Sequence, residues 1–154
     1  MSIAFNDIQR VPEGIVITLR RCKTDQEGKG RRVGIPYAKG PVCPVRALDD
    51  WFDASGIKDG PLFRSVDRHG NVGNRALSGE AVALIVKARA GAVGLDPTRV
   101  AGHSLRAGFA TSAAYSGVAS WKIRDQTGHT SDAMLGRYIR ETGLFIDNAA
   151  KTAL

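Results

Sequence analysis

Apolar and polar positions divide the chain into a β-type first part and an α-type remainder. Ile15, Ile17 and Leu19 alternate with Val16, Thr18 and Arg20, the period of two that sets one face of a strand on a core. A polar turn from Asp25 to Gly30 follows, and then Val33 and Ile35, which predicts a hairpin. Beyond it the period lengthens. Val45, Leu48, Trp51 and Phe52 fall on one side of a helix from Pro44 to Ser55, closed by Gly56. Gly60 to Arg64 reads as a short extended link, and Asp67 to Asn74 as a loop rich in turn formers. Ser78 then caps a helix whose Leu77, Ala81, Leu84, Ile85 and Ala88 follow the 3.6 period, with an end near Gly91 or Gly94.

The last third repeats the helical pattern. After the turn signal Asp96-Pro97-Thr98, Leu105, Phe109 and Ala113 recur every four residues and predict one buried stripe. A helix from Trp121 to Thr127 stops at Gly128, and a second begins at Ser131-Asp132 and carries Met134, Leu135 and Ile139. The tail from Leu144 to Leu154 is apolar enough for a short helix, which needs a groove on its own domain or on a neighbour. The expected class is α+β: a small antiparallel sheet or hairpin packed beside a mainly helical bundle.

Length and composition narrow the function. A chain of 154 residues builds one core of ordinary size, and a formal charge of +7 with a pI near 9.8 suits a polyanionic partner. Much of that charge lies on the rim of the hairpin, at Arg20, Arg21, Lys23, Lys29, Arg31 and Arg32. Gly28-Lys29-Gly30 lacks the spacing of a phosphate-binding nucleotide loop. No apolar run approaches the ~18 residues of a membrane span, and the N-terminus has no signal-peptide pattern, so the expected compartment is the cytoplasm, in association with the nucleoid. Cys22 and Cys43 show no Cys-x-x-Cys spacing and are expected reduced, with neither a disulfide framework nor a zinc ribbon. A metal site from His103, His129 and a carboxylate lacks supporting spacing, and no cofactor is expected.

The candidate chemistry is concentrated between His103 and Tyr138. His103 and Arg106 lie one helical turn apart and share a face. An arginine there can grip a non-bridging phosphate oxygen with its planar fork, and an imidazole can move a proton near neutral pH. His129 falls in the turn after Gly128, and Tyr138 follows it by nine residues between Arg137 and Arg140. A phenol has a pKa near ~10 and attacks only as a base removes its proton.

These residues resemble the tyrosine recombinases, also called phage integrases. Gly102-His103-Ser104-Leu105-Arg106-Ala107-Gly108-Phe109-Ala110-Thr111 is similar to the most specific box of that family. Gly128-His129 and Tyr138 match later boxes in type and interval. The resemblance runs from about Asp7 to Glu141 and implies a fold of the DNA breaking-rejoining type. It implies Tyr138 as nucleophile, Arg106 as stabiliser of the phosphorane, His103 as base and His129 as a hydrogen-bond partner of a non-bridging oxygen. Lys23-Thr24 matches the strand-end lysine that protonates the leaving 5′ oxygen.

The implied partners are double-stranded DNA, held in part by Arg20, Arg21, Lys29, Arg31, Arg32, Arg137 and Arg140, and other protomers in a synaptic assembly, with residues 144–154 exchanged between them. One feature departs from the family. Its pattern has an earlier arginine on a helix before the first strand, with an acidic residue supporting it, and Met1 to Ile8 contains no arginine. Residues 1–154 are therefore expected to form one partial catalytic domain, without the N-terminal DNA-clamping domain and weak in cleavage. The rival reading is a helix-turn-helix DNA-binding module without chemistry, since residues 118–141 have the helix, glycine turn and second helix of such a reader.

Overall fold

A computed structural model describes residues 2–20, 30–129, 131, 133, 135 and 136. In place of the single core expected from its length it divides into two compact units, Met1–Ser78 and Gly79–Leu154, each with its own cluster of buried residues, and its helices and small antiparallel sheets make it α+β.

In the first unit, strands β1 (Ile8–Val11), β2 (Gly14–Leu19) and β3 (Arg31–Pro36) form an antiparallel sheet in that order. Ile8 pairs with Ile17, and Leu19 with Arg31, so β2 and β3 are the expected hairpin. Strand β1 is an addition to it. The turn before β2 requires Gly14, whose φ is +154° and where a Cβ would lie 2.1 Å from the Ile35 carbonyl oxygen. Helix α1 (Pro44–Ser55) has its predicted bounds and ends at Gly56 in the left-handed region, φ 64°. Its Val45 and Leu48 join Ile15, Cys43 and Leu62 in the core of this unit, with Trp51 and Phe52 packed against them. The Trp51 indole nitrogen donates to the Leu62 carbonyl at 2.9 Å.

The link and loop expected over residues 60–74 are interrupted by a second antiparallel pair, β4 (Arg64–Val66) and β5 (Val72–Ala76). The turn formers make its tight end. Asp67 accepts from the backbone of His69 and Asn71 and from the Asn71 amide, and His69 itself is exposed.

The second unit contains α2 (Gly79–Ala92), α3 (Gly102–Tyr115) and α4 (Ser120–Thr127), followed by helical positions at 133, 135 and 136. Its core cluster is Ala110, Ile123 and Leu135, with Ala113 and Ala114 alongside. This corrects the expected stripe on α3, because Leu105 and Phe109 are 62% and 48% exposed while Ala110 is fully buried. Small side chains let helix backbones approach closely, so the face that packs carries alanine. The stripe expected on α2 fares likewise: Leu84 and Ile85 are exposed, and Ala90 is buried.

Candidate active site

The approach to α3 is fixed by local hydrogen bonds. Asp96 accepts from the Thr98 amide at 2.9 Å and from its hydroxyl at 2.7 Å, folding Pro97–Arg99 into a single 3-10 turn. At the start of α3 the Ser104 hydroxyl accepts from the Ala101 amide at 3.0 Å, satisfying a backbone donor just before the helix. His103 therefore stands in the first turn of α3 and Arg106 in the second. Both residues are exposed.

His129 reaches the same neighbourhood from another element. Helix α4 ends at Gly128, with φ 71° and its amide bonded to the Arg124 carbonyl at 2.7 Å. That left-handed residue turns the chain so that His129 enters the protein, and only 7% of it remains exposed. The Thr127 hydroxyl lies 2.6 Å from His129 Nδ1 and 2.7 Å from the Ile123 carbonyl oxygen. Burial, and secondarily the positive field of Arg106, hold the His129 imidazole below its ordinary pKa. Helix α3, which carries Arg106, packs against α4, the helix that His129 follows. In the core of this unit Ala110 and Ile123 cluster with Leu135, which lies three residues before Tyr138 in sequence. The packed core thus joins α3, which carries His103 and Arg106, to α4, which ends just before His129.

Not every expected site residue can be placed. Tyr138, Arg137 and Arg140 lie outside the described residues, as do Lys23, Arg21, Lys29 and the tail 144–154. Of the hairpin cations, Arg32 is exposed and donates to the Gln9 side chain at 3.0 Å, and Arg31 is half-buried on β3. Arg20 has a role that sequence reading missed. Its Nε donates to Asp7 Oδ1 at 2.6 Å, and the same buried carboxylate accepts from the Ala4 amide at 2.9 Å. The Ala4 hydrogen bond, against the opposing effect of burial and with help from Arg20, holds the Asp7 carboxyl below its usual range. Arg20 therefore anchors the end of β2, directly before residues 21–29. Thr127 was also missed. A hydroxyl residue at a helix end, two positions before a histidine, is the signal that points to it.

Comparisons with known proteins bear on the fold and the family. No protein-family model matches the chain. It is 45% identical over 148 residues to the integrase/recombinase xerD homolog of Selenomonas ruminantium, an alignment that takes in 96% of this chain and 43% of that protein. The chain thus spans less than half the length of this curated relative. Among solved structures it resembles the XerH site-specific recombinase bound to palindromic difH substrate in a post-cleavage complex, with a TM-score of 0.66, 18% identity, and coverage of 97% of this chain and 39% of that one. At that identity the likeness shows the fold. Sequence identity along nearly the whole chain, the shared fold and the His103-x-x-Arg106 box on α3 place this chain in the tyrosine recombinase family, in the region of its catalytic domain.

Proposed function

We propose that these residues form the catalytic part of a site-specific recombinase that cuts and rejoins double-stranded DNA through a 3′-phosphotyrosyl intermediate. What supports the reading is the packing of α3, which carries His103 and Arg106, against α4, whose glycine stop turns His129 into the protein. An exposed guanidinium beside an imidazole is suited to a phosphodiester, whose charge grows on its non-bridging oxygens as it is attacked. In this reading the Tyr138 hydroxyl attacks phosphorus as His103 takes its proton. The bond from phosphorus to the 5′ oxygen breaks, and Lys23 supplies the proton that oxygen needs. Arg106 and His129 hold the non-bridging oxygens. The reverse attack by a 5′ hydroxyl joins the new strand, so the covalent bond conserves the energy and neither metal nor nucleotide is required.

Arg20, Arg21, Lys29, Arg31, Arg32, Arg137 and Arg140 supply cations toward the DNA backbone, Arg20 while tethered to Asp7. Partner protomers and an exchanged tail at 144–154 belong to the same reading. The family's earlier arginine is not among residues 1–154, and one lost donor to a transition-state anion typically costs ~2.7 to 4 kcal/mol, about a hundred- to thousandfold in rate. A polypeptide of these residues alone should therefore give little adduct on nicked suicide substrates. Joining an N-terminal segment that supplies the arginine should raise it strongly, and Arg106→Ala in that longer protein should remove most of the gain. Adduct unaffected by Arg106→Ala would overturn the assignment.

A further inference from the structure

Thr127 closes α4 with a hydroxyl that has a single proton and several acceptors nearby. Its oxygen lies 2.7 Å from the Ile123 carbonyl oxygen, 3.4 Å from that of Arg124, and 2.6 Å from His129 Nδ1. A carbonyl oxygen only accepts. The 2.7 Å contact is therefore a hydrogen bond only if Thr127 donates to Ile123. With that proton committed, the short contact to the ring requires Nδ1 to be the donor. The opposite assignment leaves two oxygens facing each other at 2.7 Å with no proton between them, an unfavourable meeting of lone pairs in a half-buried place.

We propose that Thr127 is a positioning residue that holds His129 in the Nδ1–H tautomer, so that the neutral ring carries its lone pair on Nε2 and donates to a phosphate through Nε2 only as an imidazolium. The functional half of this inference rests on the role given to His129 in the proposed function. An anionic phosphate oxygen can only accept, so contact with Nε2 needs a proton there. One proton then passes from solvent to Nε2 as the phosphate binds, and leaves as it departs. The setting favours such coupling. Burial and the charge of Arg106 on α3, the charged group whose field reaches the ring among the described residues, oppose the imidazolium in the free protein. A bound phosphate offsets the Arg106 charge and removes part of that opposition.

The test uses the 154-residue chain labelled with nitrogen-15, with two-bond proton–nitrogen spectra of the His129 ring recorded from about pH 5 to 8, the range in which imidazoles titrate. The expected neutral ring is protonated on Nδ1. Thr127→Val, which keeps the shape and removes the hydroxyl, should move the ring toward the Nε2–H form, and Thr127→Ser should restore the wild-type pattern. A wild-type ring protonated on Nε2 overturns the proposal whether or not the variants fold, as does a Thr127→Val ring that matches wild type. Calorimetric titration with duplex DNA in two buffers of different ionisation heat supplies the second readout. Wild type should take up protons on binding and Thr127→Val fewer; equal uptake by the two proteins counts against the coupling. An Nδ1–H ring in a chain that does not bind DNA supports the tautomer assignment and counts against the proposed function, so the two failures are separable.

Discussion

Replacing Ile123 and Leu105 by alanine, one at a time, separates the two possible buried faces of the helical unit. Ile123 is 1% exposed and packs between Ala110 and Leu135, whereas Leu105 is 62% exposed on α3. Ile123→Ala removes three carbons, about 2.4 kcal/mol of transfer free energy at ~0.8 kcal/mol each, and the residual cavity adds to it. The expected total is ~3 to 4 kcal/mol, inside the ~2 to 5 kcal/mol range of such truncations. Leu105→Ala should stay within ~0.5 kcal/mol, as exposed substitutions do. Urea unfolding of both variants and wild type, followed by far-UV circular dichroism, gives the comparison. Equal losses for the two variants would refute the assigned packing and return the buried face to the Leu105 stripe. Ile123→Ala should also weaken binding to duplex DNA more than its exposed counterpart, because Ile123 lies in the contact between α3, which carries Arg106, and α4, which ends before His129.

Acidification should destabilise the protein in two windows. His129 has a folded pKa below its ordinary 6.5, so the unfolded chain binds its proton first, and stability falls as pH drops below about 6.5 until the folded value is passed. Asp7 likewise has a lowered folded pKa; its contribution is complete above the unfolded value of about 3.9 and is lost below it, a decline that Asp7→Asn should flatten in acid-unfolding curves. Gly128→Ala forces a Cβ into the left-handed region at φ 71°, and should cost about 1 to 2 kcal/mol in denaturant melts while altering the ring signals of His129. Affinity for duplex DNA should fall steeply with salt. Arg106→Ala should weaken it alike on unrelated sequences and reduce the salt slope by about one, as a phosphate contact does, whereas loss of preference for one sequence would favour a base-reading module.

The strongly patterned elements were legible in the sequence, and those that depend on small or polar side chains were not. The β2–β3 hairpin and α1 from Pro44 to Gly56 have apolar periods, α4 has its stop at Gly128, and each forms as expected. Strand β1 offers Gln9 and Arg10 between Ile8 and Val11, too short an alternation to register. The β4–β5 pair was hidden because its turn residues dominate a segment with few apolar positions. On α3, the apolar period selects Leu105, Phe109 and Ala113, while packing keeps only Ala113 of these and adds Ala110 and Ala114. The candidate site residues His103, Arg106 and His129 are picked out by their spacing, which needs no knowledge of packing. Asp7 and Thr127 act through partners 13 and two residues away, and their roles become visible only once the chain is folded.

The central claim concerns the atom that becomes linked to DNA, and the chain contains three tyrosines, Tyr37, Tyr115 and Tyr138. The most direct measurement is peptide mass spectrometry of the adduct trapped on a suicide duplex by these residues joined to an N-terminal segment that supplies an arginine. The account predicts a single modified peptide with a 3′-phosphonucleotide on Tyr138, a free 5′ hydroxyl on the released strand, and no adduct from Tyr138→Phe. Attachment at Tyr37, Tyr115 or any other side chain, or a 5′-phosphoryl linkage, would contradict it.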